Sequence, residues 1–493
     1  MMRVYAIGVR IGFALLVVAS LGVYANAQKA GDVKLEPYVF ESASQQKVDA
    51  ELGRLYVPEN RRNPQSRLIE LAFVRFKSTN ANPGSPIVYL AGGPGGSGIG
   101  AARGTRFPLF MALREIADVI ALDQRGVGMS KPNLGCRETV DLSLEQTTNR
   151  EGLLSVFRKA SRECAERLRK TGVDLAGYNT LESADDLEDL RKALGAKKIS
   201  LWAISYGTHL SLATIKRHEK RLDRVMLAGT EALNQTIKLP GNIQKHLEHI
   251  DRLVKADTSL SKEIPDFLGL MKEVLAHVER EPVTVEVTDP RTGQKTKVTI
   301  NKFVLQILTT NSFGGEEHLL PQRFYAMSKG DYSLAAQGWW RFIRSLSSIG
   351  SAMSYMMDCY SGVSPQRRQQ IKREAKKALL EEVIDLPHPY VCDAWGSPDL
   401  GERFRQNPQA KIPVLFISGT FDARTPVGNA EEARRGFPNS QHLIIEGAVH
   451  SDPLFLSSPQ IKEVMLEFMK GQKLSTTRIQ LAPLKFAPLE VKK

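Results

Sequence analysis

The chain lacks most of the features that assign a protein quickly. Only four of its 493 residues are cysteine. No CxxC pair or His/Cys cluster is present, which argues against a zinc site. The formal charge is +13, from 67 basic and 54 acidic residues. The excess is scattered, with no Lys/Arg block and no nucleic-acid motif, so nucleic acid is not an expected partner. No internal repeat or low-complexity tract occurs. The apolar run at 11–25 falls short of the about 20 residues that a spanning helix needs. With 42% hydrophobic and 25% charged residues and a mean hydropathy of −0.24, the composition excludes a collagen-like fibre, a disordered chain and a polytopic membrane protein.

What is present begins with an export signal. Arg3 and Arg10 precede the apolar run, and Ala25-Asn26-Ala27 follows as a small-x-small cleavage site. Residues 1–27 read as a secretory signal peptide with Gln28 as the mature start, which predicts a periplasmic or secreted protein. No stable membrane insertion is expected after cleavage. In an oxidising compartment an even number of cysteines predicts disulfides. Three pairings are open, and the local ones, Cys136 with Cys164 and Cys359 with Cys392, are preferred. Each would contribute about 3–4 kcal/mol by loop closure.

Short apolar runs at 69–76, 87–91, 119–122, 199–204, 224–228, 414–418 and 442–445 read as buried strands, with helical patterns between many of them. A helix is expected from Ser183 to Leu194, opened by Ser183 and Asp186 as a capping box. Such alternation predicts an α/β fold: a mostly parallel sheet flanked by helices, with its active site at the C-terminal strand ends. The alternation breaks between about 233 and 410, where helices and one hairpin (283–287 and 297–300) are expected. The predicted organisation is therefore a core of 28–232 and 411–493 with an inserted, mainly helical cap at 233–410.

Four strand-to-loop junctions carry the chemistry. An apolar strand runs into Ser205, followed by Tyr206-Gly207 and a helical pattern. This is a nucleophile elbow, with Ala203 where glycine is commoner. The glycine-rich run GGPGGSG at 92–98 follows another strand. It lacks the Lys-Ser/Thr of a P-loop. Its peptide N–H groups suit a developing oxyanion, with Gly93 and Tyr206 as the two expected donors. Asp422 and His450 each follow a later strand. The order Ser205, Asp422, His450 is that of α/β-hydrolases. Ser205 would be the nucleophile, His450 the general base and acid, and Asp422 the group that orients the imidazole. No metal or other cofactor is needed.

With the DQRGVGMS segment at 123–130, these motifs resemble the prolyl iminopeptidase and tripeptidyl aminopeptidase group of α/β-hydrolase serine peptidases. The resemblance extends over most of the chain after the signal. It implies that 123–126 supports the oxyanion loop, and that cap acids grip a substrate's free α-amino group. Glu231, Glu316 and Glu317 are the candidates. Ala91 departs from the pattern, since many relatives carry His there. The expected activity is an exported aminopeptidase acting on peptides with a free N-terminus. An esterase of small esters and an inactive binding module of the same fold are the alternatives. His246 and His249 read as a solvated helix face, His209 as a residue facing away from the oxyanion side, and Trp339 and Trp340 as core or cap lining. The oligomeric state is not legible.

Overall fold

The computed structural model describes residues 28–140, 143–346, 348–396 and 398–489, together with Met1. Apart from Met1, the signal segment 1–27 lies outside the described residues. The strands are β1 (Val33–Glu41), β2 (Lys47–Pro58), β3 (Leu68–Phe76), β4 (Ile87–Leu90), β5 (Val119–Leu122), β6 (Ile199–Ile204) and β7 (Leu222–Ala228). They continue as β8 (Val283–Thr288), β9 (Lys295–Ile300), β10 (Val414–Gly419), β11 (Ser440–Glu446) and β12 (Arg478–Gln480). Ten form one sheet in the order β1-β2-β3-β5-β4-β6-β7-β10-β11-β12, and β8 pairs with β9 alone. From β5 to β12 neighbours run parallel, whereas β1, β2, β3 and β5 pair antiparallel in succession. This is the α/β-hydrolase fold.

The central strands are continuous apolar runs because both sheet faces are covered. Every residue of β4, β5, β6 and β10 is buried. Alternate residues supply two cores. Val88 and Leu90 pack with the helices Arg150–Lys170 and Thr180–Ala193 and with the insertion. Ile87 and Tyr89 pack with the helices Phe107–Leu113 and Pro459–Met469.

Between β7 and β10 lie the β8–β9 hairpin and helices that include Pro240–Ala256, Lys302–Asn311, Ser333–Ser345 and Ala352–Ser361. Apart from a small cluster of Ile237, Val363 and Ile371, the apolar side chains of the insertion form no separate core among the described residues. Trp339, Met353 and Met357 belong to the same cluster as Val88, so the insertion packs directly on one face of the sheet. Cys136 is bonded to Cys164 and Cys359 to Cys392, with Cα–Cα distances of 5.5 and 5.4 Å. The second bond ties the helix Ala352–Ser361 to the end of the insertion.

Two readings of local structure change. The helix expected from Ser183 starts earlier, at Thr180, because Asn179 caps it by accepting the N–H groups of Leu181 and Glu182. His246 is not on a solvated face: it is buried with its ring against Phe313 and Phe421. Burial lowers its pKa to about 4.

Candidate active site

Strand order brings the site together. Leu90 pairs with Ala203, Ile204 with Ala228, Ala228 with Ile417, and Gly419 with Ile445. The loops after β4, β6, β7, β10 and β11 therefore leave one edge of the sheet side by side. Ser205 follows β6 directly and has φ +53° and ψ −126°. A non-glycine residue there costs about 1–3 kcal/mol, a strain that surrounding packing must hold. The close approach behind the turn explains Gly207, where a Cβ would lie 2.2 Å from the Leu90 carbonyl oxygen. Gly92 has a similar reason, since a Cβ there would lie 2.9 Å from Ser205 Cβ.

Asp422 is buried beyond the end of β10, with every oxygen used. Oδ1 accepts the N–H groups of Arg424 and Thr425 at 2.8 and 2.9 Å. Oδ2 accepts the Thr425 hydroxyl at 2.6 Å and His450 Nδ1 at 2.8 Å. Burial pushes this carboxyl up, but the His450 charge and these hydrogen bonds outweigh it and hold the pKa at about 2. An ionised Asp422 receiving Nδ1–H leaves His450 Nε2 as the basic nitrogen. Ser205 and His450 border one cavity of about 550 Å³, together with Gly92, Gly93 and Gly96. Gly229, after β7, lies close against the imidazole, since a Cβ there would lie 3.1 Å from His450 Cε1.

The glycine-rich loop at 92–98 is held from several sides. Gly93 has φ +120°. Among the described residues no protein acceptor takes the N–H of Gly93 or Tyr206. Gln124 Nε2 donates to the Ala91 carbonyl at 3.2 Å. Asp123 accepts the Ser97 hydroxyl at 2.5 Å and the N–H groups of Ile99 and Met129 at 3.1 and 2.8 Å. Arg125 is buried and grips Asp186 with two hydrogen bonds of 2.7 and 2.6 Å. Ser354, on the insertion, donates to the Pro94 carbonyl at 2.7 Å. The insertion thus touches the loop beside Ser205.

A second clamp holds the His450 loop. Arg106 Nε donates to Asp452 Oδ1 at 2.8 Å, and Nη2 lies 2.7 Å from the same oxygen. Nη2 also donates to Ser451 Oγ at 3.3 Å and Nη1 to the Tyr89 hydroxyl. Ser451 itself has φ +80°. The motif reading had no signal for Arg106, Tyr89, Thr425 or Asp452. A Thr three residues after an Asp at a strand end is the one cue available.

The three candidate amine-binding acids part company here. Glu231 does border the cavity, but Lys238 Nζ already donates to its Oε2 at 2.8 Å, while Oε1 is buried without a partner among the described residues. Burial opposes the Lys238 cation, yet Glu231, Asp385 and Asp358 together raise its pKa. Burial lifts Asp385 to about 7, although Lys238 pulls the other way. Glu316 and Glu317 do not line the cavity at Ser205. Glu316 pairs with Arg323 at 2.7 Å. Glu317 accepts the N–H groups of Gly314 and Gly315 at 2.6 and 2.8 Å, so it closes a turn inside the insertion. His209 bonds Ser361 at 3.0 Å and stays away from the cavity, and Trp339 is core. The cysteine sulfurs near His388 and near Glu138 are locked in disulfides and offer no thiolate to a metal.

Comparison with known proteins agrees with this architecture. Residues 85–290 match the family model described as alpha/beta hydrolase fold, and 385–477 the model described as TAP-like protein. Serine protease Hip1 of Mycobacterium tuberculosis (strain ATCC 25618 / H37Rv) is 33% identical over 183 residues, 36% of this chain and 35% of that protein. Tripeptidyl aminopeptidase of Streptomyces coelicolor is 31% identical over 173 residues, 32% of this chain and 31% of that protein. The matched stretch spans about a third of the length of these curated relatives. A solved proline iminopeptidase of Mycobacterium smegmatis aligns with a TM-score of 0.38 at 16% identity, covering 85% of this chain and 98% of that one. Fold and family models together define the class by architecture, an α/β-hydrolase fold. The chain has the α/β-hydrolase fold, and its segment 385–477 is similar to TAP-like proteins.

Proposed function

We propose that the protein is an exported serine peptidase that releases N-terminal residues or short peptides through an acyl-enzyme on Ser205. The observation that carries this reading is the strained Ser205, which shares one cavity with an imidazole whose Nδ1 is bonded to a buried, ionised Asp422. In the first step His450 Nε2 takes the Ser205 proton as Oγ attacks the carbonyl carbon. The N–H groups of Gly93 and Tyr206 receive the oxyanion. His450 then protonates the leaving amine, and water, activated by the same imidazole, hydrolyses the acyl-enzyme. Two disulfides support export. The names of the relatives, serine protease and tripeptidyl aminopeptidase, support a peptide substrate.

One observation favours an esterase as the second reading. Lys238 already holds one oxygen of Glu231, which leaves Oε1 alone to receive a substrate ammonium. A panel of aminoacyl- and tripeptidyl-arylamides, with free and blocked amines, tests the choice. Turnover of free-amine arylamides that blocking slows supports the aminopeptidase. Turnover of acetate esters alone, or no effect of blocking, rejects it.

A further inference from the structure

Besides the His450 imidazole, five charged side chains border the cavity at Ser205: Arg106, Glu231, Lys238, Arg424 and Asp452. Four cancel in pairs, Arg106 with Asp452 at 2.7 Å and Lys238 with Glu231 at 2.8 Å. Arg424 is different. Its backbone N–H serves Asp422, but among the described residues its guanidinium has no hydrogen bond and no ion pair. The side chain is half-buried and also borders a small cavity of about 70 Å³ with Leu153, Phe157, Ile307 and Phe342. Those walls offer no counter-charge. A guanidinium does not deprotonate in a protein, so the cavity keeps a permanent, unmatched cation where the insertion meets the sheet.

We propose that Arg424 is a specificity-determining residue that receives a carboxylate of the substrate. The proposal rests on the Ser205 hydrolase reading and adds the substrate class: short peptides that carry an anionic group. A planar guanidinium matches a carboxylate with two parallel hydrogen bonds. A neutral substrate filling the same cavity would cover the cation without satisfying it, so the site selects against such substrates. The carboxylate can come from a peptide's C-terminus or from an acidic side chain.

Two matched substrate pairs distinguish those sources. One is a short peptide with a free C-terminal carboxylate against its C-terminal amide. The other is a glutamyl against a glutaminyl arylamide. The wild-type protein should favour the carboxylate member of at least one pair by about 10- to 100-fold in kcat/KM, the range of a charge-assisted hydrogen bond. Arg424→Gln should bring that ratio to near one, and Arg424→Glu should invert it. Each ratio is taken within one preparation, so a general loss of folding or of the chemical step cancels. Fluorophosphonate labelling of Ser205 in the same samples reports the serine chemistry separately. If Ser205 does not label, the hydrolase reading falls. If it labels and both wild-type ratios are near one, or Arg424→Gln leaves the ratio intact, the carboxylate assignment falls instead.

Discussion

Replacing Arg106 by Gln removes the link between Tyr89 on β4 and the His450 loop. Arg106 makes two contacts to Asp452, one to Ser451 and one to the Tyr89 hydroxyl. Breaking a fully buried pair costs about 3–5 kcal/mol. Here the Arg106 side chain is 9% exposed but that of Asp452 is 40% exposed. Water can therefore take over the Asp452 charge, and a loss of about 2 kcal/mol in folding stability is the better expectation. The kinetic effect should be larger than this implies. Ser451, held in the left-handed region beside His450, has nothing else gripping its hydroxyl among the described residues. Displacing a catalytic group by an ångström costs about 100-fold in rate. Arg106→Gln should lower kcat by that order with little change in KM, and slow fluorophosphonate labelling of Ser205 in parallel. Adding Asp452→Asn should cost little more, because both changes break one contact. Thermal melts alongside kcat, KM and labelling rates make the comparison. A labelling rate within twofold of wild type would refute the clamp.

Other consequences are simpler to read. Gly207→Val should unfold the elbow or abolish labelling, since even a Cβ would lie 2.2 Å from the Leu90 oxygen; a folded, active variant by circular dichroism and turnover would contradict the close approach. Asp385 has a folded-state pKa of about 7, raised from 3.8, so its contribution to stability is full below 3.8 and lost as pH rises through 7. The melting temperature of Asp385→Asn relative to wild type should accordingly improve between pH 5 and pH 8, and no change or a decline would count against the burial argument. Removing the Cys359–Cys392 bond by a double Ser substitution opens a link between residues 33 apart and should cost about 3–4 kcal/mol in denaturant unfolding; an unchanged midpoint would show that the link adds nothing.

The sequence exposes some parts of this molecule and hides others for physical reasons. β4, β6, β7 and β10 are legible because strands buried on both faces read as unbroken apolar runs. β1 and β2 are not, because β1 lies at the sheet edge and carries Lys34, Glu36 and Pro37 among its apolar residues. Ser205, Asp422 and His450 stand out because each follows a strand. Glu231 can be placed near the site from its position after β7, but its pairing with Lys238 depends on how the chain turns back into the insertion. Glu316 and Glu317 mislead for a related reason: acids in a helical insertion carry no sequence mark of whether they face the cavity or close a turn. The unmatched charge of Arg424 is legible only once its neighbours' partners are known.

Mass-spectrometric mapping of a fluorophosphonate adduct, set beside turnover by Ser205→Ala, decides whether Ser205 is the nucleophile. A single adduct on the peptide containing Ser205 is expected, together with loss of about 10⁴-fold or more in kcat in the folded variant. An adduct on another residue, or near-normal turnover by folded Ser205→Ala, would contradict the assignment.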